Sequence, residues 1–297
     1  MHIHLDAIGG IAGDMFVAAL LHAFPQQTDG VLRAVRLAGL GDDIVTRVID
    51  HSDGVLVGKR FEVGKNGTPV HHDLSHAHDH HHDHGGEHGS RHDHPQGHRH
   101  DHHHSHDHHH HEHNHTHWAH LRTQLQNSPL ADGIKRHAIG IFGELAWAEA
   151  QVHGKAPDDV TFHEVGNWDS IADIVAAASL IGALAIESWS VGSLPMGQGR
   201  VTTAHGELPV PAPATALLLD GFALHHHGRT GVRVTPTGAA ILRYIAPSQG
   251  IGTPPRILRG CGHGFGARKL QGMSNVLRVL AFDQAADATA TADTIGI

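Results

Sequence analysis

The chain has 297 residues, a formal net charge of −9 with histidine neutral, 37 histidines and one cysteine, Cys261. That length suits one large domain or two moderate ones, the charge argues against nucleic acid as a partner, and a single cysteine excludes an internal disulfide and a cysteine-based zinc cluster. The start, Met1 to Asp6, has no cationic region followed by an apolar stretch, and no window approaches the ~18 uninterrupted apolar residues of a membrane span, so a cytoplasmic chain with no membrane association is expected.

The first elements read as strand, turn and helix. Residues 2–6 have the length of a short strand, Gly9 to Asp14 is a glycine-rich turn, and residues 15–24 form an apolar helix stopped by Pro25. A helix over 31–40, ended by Gly41, and strands over 44–49 and 55–63 follow. Then 25 of the histidines fall between His71 and His120, interleaved with Asp73, Asp79, Asp83, Asp93, Asp101 and Asp107. The internal position and this interleaving mark a native tract rather than a tag. It cannot bury enough apolar surface to offset its ordering entropy, so 71–117 is expected to be a disordered insert. Order resumes at Trp118. Ser128-Pro129 predicts a helix start, with Ser128 as N-cap. Ile134, Ala138, Ile141, Phe142, Leu145, Ala148 and Val152 recur at spacings of three and four, and Gly154 ends that helix. Residues 160–162 read as a strand, 170–185 as an apolar, buried helix and 188–191 as a strand. Residues 194–213 read as a Pro/Gly-rich loop, 214–219 as a short helix, and Thr235-Pro236-Thr237 as the cap of a helix over 238–245. Late strands are expected at 256–259 and 276–282. The class expected is α/β, with mixed α+β as the alternative: a sheet flanked by helices. Residues 1–70 and 118–283 form one core around the insert, and 284–297 is a disordered tail.

Several segments carry chemistry. Neutral imidazole is a borderline-soft donor that suits nickel, zinc, copper and cobalt, which makes the tract, with His104, His106, His108 and His110 in its densest run, a metal-binding segment. In the first turn the strand ends in Asp6, Gly10 and Gly13 permit close backbone approach to a ligand, and the following helix start offers N–H groups to an anion. Asp14 reads equally as a ligand group and as a first-turn partner of the helix dipole. The run from His163 to Asp173 places one imidazole and three carboxylates, Glu164, Asp169 and Asp173, within eleven residues. Asp169 and Asp173 are one helical turn apart and share a face, suited to a cation or to acid–base work. The alternative is that Asp169 caps the helix and Asp173 pairs with a base. In the Pro/Gly-rich region Arg200 has the planar fork that holds phosphate or carboxylate, and His205 lies between Ala and Gly, away from any core pattern. Thr235 and Thr237 can bind a phosphate or cap a helix; capping explains one hydroxyl better than two. The Gly260–Gly266 run alternates glycine, and its Cys261 and His263 are possible nickel ligands, although a lone cysteine is more often an ordinary buried residue.

Taken together, Leu5-Asp6-Ala7 with Gly10 to Met15, the Ala146 to Gly154 run, Phe162-His163-Glu164-Val165-Gly166, Asp169-Ser170-Ile171 with Asp173-Ile174, Ala204-His205-Gly206 with Leu208 to Thr215, Thr235 to Ala240, and Asn275 to Arg278 resemble the LarC nickel insertion proteins. The resemblance runs in order from Leu5 to about Leu280, and many members carry a histidine-rich insert at this place. It implies a nickel chelatase, a cyclometallase-type lyase. Such a protein inserts Ni(II) into pyridinium-3,5-bisthiocarboxylic acid mononucleotide, forming one nickel–carbon and two nickel–sulfur bonds, with CTP hydrolysis and a divalent metal such as Mn(II) or Mg(II). The product is the nickel-pincer nucleotide of lactate racemase-type enzymes, whose apo forms are the recipients. Longer members continue into a CTP-binding domain opening on a Thr-Asn-Ile-Asp-Asp-like motif. Nothing like it follows Phe282, so CTP binding is expected in a second half or a partner chain; an oligomer is compatible with this. Asn167-Trp168, Val232 and Lys269 also depart from the family pattern.

The resemblance and the motifs give one mechanistic expectation. The tract collects Ni(II); Asp6, Gly10, Gly13, Arg200, Thr235 and Thr237 hold the nucleotide, the last three near its phosphate; nickel is handed over near His163, Glu164 and Asp169. Metallation of a ring carbon releases a proton, for which His205 or Glu164 is the base; Asp14 is the third catalytic candidate. The rivals are a non-enzymatic nickel or cobalt storage protein or metallochaperone, and a scaffold subunit for a CTP-binding partner.

Overall fold

The computed structural model describes residues 1–66, 68–69, 116–162, 165–203, 206–252 and 255–284. The bulk of the expected disordered insert and the 285–297 part of the expected tail lie outside these residues. In chain order the elements are β1 (His2–Asp6), α1 (Gly13–Ala23), α2 (Thr28–Leu37), β2 (Ile44–Ser52), β3 (Val57–Lys65), β4 (Thr68–Pro69), β5 (Thr116–His117), α3 (Trp118–Asn127), α4 (Asp132–His153), β6 (Thr161–Phe162), α5 (Trp168–Ala183), β7 (Ser188–Val191), β8 (Leu194–Gln198), β9 (Arg200–Thr203), β10 (Gly206–Pro209), α6 (Pro213–Leu218), β11 (Leu224–Thr230), α7 (Pro236–Ile245), β12 (Ser248–Gln249), β13 (Arg256–Phe265) and β14 (Val276–Gln284).

The fold is α/β. Its main sheet runs β12-β7-β1-β14-β13-β3-β2, with β4 added to β3. β1 pairs parallel with β7 and antiparallel with β14, so strands from both sides of the histidine tract share one sheet. α1 lies against β13, β3 and β14, and α5 packs on α1, α2 and α4. Both α1 and α5 are buried over most of their surface, which explains their nearly continuous apolar sequences. The glycines of the 260–266 run explain the closeness of α1 to the sheet. A side-chain carbon at Gly262 would lie 2.1 Å from the Ala19 carbonyl oxygen, and one at Gly264 would lie 2.1 Å from that of Met15. These glycines let a helix backbone touch a strand.

Several expectations change. Ser128 does not start a helix: it closes α3, donating its hydroxyl to the Leu125 carbonyl at 2.7 Å, and α4 begins only at Asp132 after an Ala131 cap. The helix α3 buries only Trp118, Leu121 and Leu125, too few positions to announce it in sequence. The Pro/Gly-rich region is not a loop throughout. It holds β8, paired parallel with β11, and the antiparallel β9–β10 hairpin. The last two residues of the expected insert, Thr116 and His117, form β5, which pairs with β6.

Candidate functional site

The glycine-rich turn after β1 packs against the segment that enters α7. Gly10 has φ 135°, and a side chain there would run into the Arg233 carbonyl oxygen at 1.9 Å. Ile11 N–H donates to the Arg233 carbonyl at 2.9 Å, and Thr235 N–H donates to the Ile11 carbonyl at 3.1 Å. At Gly13 a side-chain carbon would lie 2.8 Å from a carboxylate oxygen of Asp173. The glycines thus draw the amino ends of α1, α5 and α7 together, where helix dipoles favour negative charge. The space left beside these ends is a cavity of about 190 Å³.

Its wall carries two kinds of charge. Asp14, Glu62, Asp169 and Asp173 supply carboxylates; Arg233 and Arg268 supply guanidiniums; Thr235 and Thr237 bring hydroxyls; Phe61, Val63 and Val165 add apolar surface. Burial pushes the Asp14 carboxyl up to about 6, with Asp169 adding to the rise against the opposing pull of the Met15 N–H and Arg60. Burial likewise holds Asp173 well above the usual carboxylate range, and the Asp14 and Asp169 carboxylates push the same way, although Asp173 accepts a hydrogen bond from the Asp14 backbone N–H. Asp14, raised to about 6, takes up and releases a proton near neutral pH. It would also gain from a cation, which relieves the like-charge contact.

The capping alternatives are resolved in part. Asn167, not Asp169, occupies the cap position of α5, and Asp169 lies in its first turn. Thr235 does cap α7, its hydroxyl accepting from Gly238 N–H at 3.2 Å, and the Thr235 and Thr237 hydroxyls are 2.9 Å apart.

The structure brings Asp14, Asp169, Thr235 and Thr237 to one cavity, with Gly10 and Gly13 packed behind it. Asp6 lies outside the wall, in an ion pair with Arg278. Arg200 also lies outside it, 72% exposed on the β9–β10 hairpin and paired with Glu207. His163, Glu164, His205, His104, His106, His108 and His110 lie outside the described residues, although Val165, next in the chain to Glu164, lines the cavity. Among the described residues no group of three or more His, Cys, Asp or Glu side chains is arranged to hold a metal ion. Cys261 is exposed rather than buried, with its sulfur 3.8 Å from His263 Nε2, and neither residue lines the cavity. Sequence reasoning missed Arg233 and Arg268. Arg233 had a signal, a lone charge between Val232 and Val234 just before the α7 cap; Arg268 had none, since the β13–β14 connection carries it in from afar.

A cavity that sets paired carboxylates beside guanidiniums and helix amino ends, within an α/β fold, has the chemistry to take a small charged ligand. The profile of the nickel insertion protein family matches residues 3–296, and the chain belongs to that family. It is 53% identical over 163 residues to a protein of Geobacter sulfurreducens, 47% over 163 residues to one of Geobacter metallireducens, and 46% over 164 residues to one of Geotalea daltonii, each carrying the provisional name of nickel insertion protein. Each match covers 55% of this chain and 42% of the relative, so the aligned part spans less than half of those proteins. No solved structure matches. Among the described residues no helix is long and apolar enough to cross a membrane.

Proposed function

We propose that this chain supplies the metallation site of a nickel chelatase that acts on pyridinium-3,5-bisthiocarboxylic acid mononucleotide in the cytoplasm. CTP, with Mn(II) or Mg(II), is handled by a second half or partner chain, and the product passes to apo lactate racemase-type enzymes. The observation that carries the reading is the cavity, where a carboxylate pushed up to about 6 sits beside two more carboxylates in a nickel insertion protein.

The chemistry needs what this wall offers. Forming the nickel–carbon bond breaks a ring C–H bond, whose electron pair goes to nickel and whose proton goes to a base. Asp14 is poised for that proton near neutral pH. Asp169, with His163 and Glu164, receives the nickel, which enters as substrate. Glu164 and His205 are the alternative bases. Among the described residues the clustered carboxylates do not by themselves form a metal cage.

The histidine tract serves as the nickel reservoir. Its described flanks support that role: β4 pairs with β3, which contributes Phe61 and Val63 to the cavity wall, and β5 pairs with β6, shortly before Val165. Replacing residues 71–115 by a short Gly/Ser linker separates insertion from storage. With the second half, CTP, substrate and saturating Ni(II), the shortened chain should metallate at a rate within about twofold of the full chain, while the number of Ni(II) ions bound falls several-fold. Loss of metallation at saturating nickel would favour a storage protein.

A further inference from the structure

We propose that Arg233, Arg268 and the amino end of α7 form a binding site for a phosphate monoester. Arg233 is only 5% exposed, and its Nε has no hydrogen-bond partner. Its other two nitrogens are committed: Nη2 donates to the Thr230 carbonyl at 2.9 Å, and Nη1 lies 3.5 Å from the Val232 carbonyl. The guanidinium is therefore held on the cavity wall through both Nη groups, with its buried Nε–H left without an acceptor. A buried donor left without an acceptor costs on the order of 1–3 kcal/mol, so its persistence points to a ligand.

Arg268 lines the same cavity. It is held against Gly231, where a side-chain carbon would lie 2.4 Å from its Nη1. Arg229 is the third member; its charge and that of Arg268 add to burial in lowering the Arg233 pKa. Among the described residues no carboxylate forms an ion pair with Arg229, Arg233 or Arg268. Three mutually repelling cations with no ion-pair partner among the described residues match a dianion. The ten-residue α7 begins beside them and adds the positive end of its dipole. Guanidinium forks and helix amides are the donors that phosphate oxygens take.

The carboxylates of the cavity then fall to the cationic and metallated part of the ligand. That the phosphate belongs to a mononucleotide rests on the proposed function; the phosphate site itself does not. The phosphate contact thus lies at the cavity arginines and not at the exposed Arg200.

The test uses no nickel. The full chain is titrated with inorganic phosphate and with ribose 5-phosphate by calorimetry and by ³¹P line broadening. Arg268→Gln and Arg233→Lys are compared with the exposed Arg36→Gln as a control for bulk charge. The site predicts saturable binding, weakened at least about tenfold in both cavity variants and within about twofold of wild type in Arg36→Gln. Circular dichroism checks the fold; if Arg233→Lys does not fold, the half-buried Arg268→Gln decides alone. No saturable binding by the wild-type chain, unchanged affinity in Arg268→Gln, or equal weakening in Arg36→Gln overturns the site. Metallation without phosphate binding would sink the site and leave the chelatase reading; phosphate binding at these arginines without metallation would do the reverse.

Discussion

Asp173 shows how the cavity sets function against stability. It lies against Gly13, accepts the Asp14 backbone N–H, and faces two other carboxylates. Asp14 and Asp173 both titrate above their ordinary value, so the folded chain holds more protons than the unfolded one between about pH 4 and their raised values. Their contribution to stability therefore falls as pH rises through that window. Asp173→Asn keeps the acceptor for the N–H and removes the charge. Its stability relative to wild type should rise with pH, with a larger gain at pH 7.5 than at pH 4.5. Urea unfolding at the two pH values checks this; a variant no more stable at pH 7.5 would mean that the carboxylates are already compensated.

At the scale of elements, the position of α1 decides the site, because α1 carries Asp14 in its first turn. That position is set by Gly262 and Gly264 on β13. Gly264→Ala forces a methyl into the Met15 carbonyl and should cost about 1–3 kcal/mol through overpacking. It should also lower metallation by displacing Asp14. Gly260→Ala is the control: its added carbon would meet only the Ala281 side chain, at 3.8 Å, an ordinary contact. It should change stability by less than about 0.5 kcal/mol. Equal destabilisation by both, read from urea midpoints, would point to strand propensity rather than to helix contact.

Across the whole molecule, what the sequence made legible follows from the range of the forces. Local signals served well: Thr235 caps α7, Gly154 ends α4 at φ 62°, and the apolar run of α5 is buried. Ser128 misled because serine followed by proline serves the end of one helix as readily as the start of another. β8 and β10 were hidden because prolines and glycines blur the period-two pattern of a strand. For the site, Asp14, Asp169, Thr235 and Thr237 were legible as motifs. The reason for Gly10 and Gly13 was not, since each glycine answers to a residue far along the chain, Arg233 or Asp173. Arg233 and Arg268 depend wholly on such long-range packing. The histidine tract dominates the sequence, yet the described carboxylates and arginines of the cavity come from the quieter segments around it.

The central claim is that nickel enters the nucleotide in this cavity. The most direct test incubates the full chain with Ni(II), the dithiocarboxylate mononucleotide, CTP and the second half, and follows nickel–sulfur absorption for wild type, Asp14→Asn and Asp169→Asn. The account predicts that absorption develops with wild type and that its rate falls by about 10²-fold or more in Asp14→Asn, with a clear loss in Asp169→Asn, while all three chains still bind Ni(II) through the histidine tract. Metallation at the wild-type rate by both variants would contradict it.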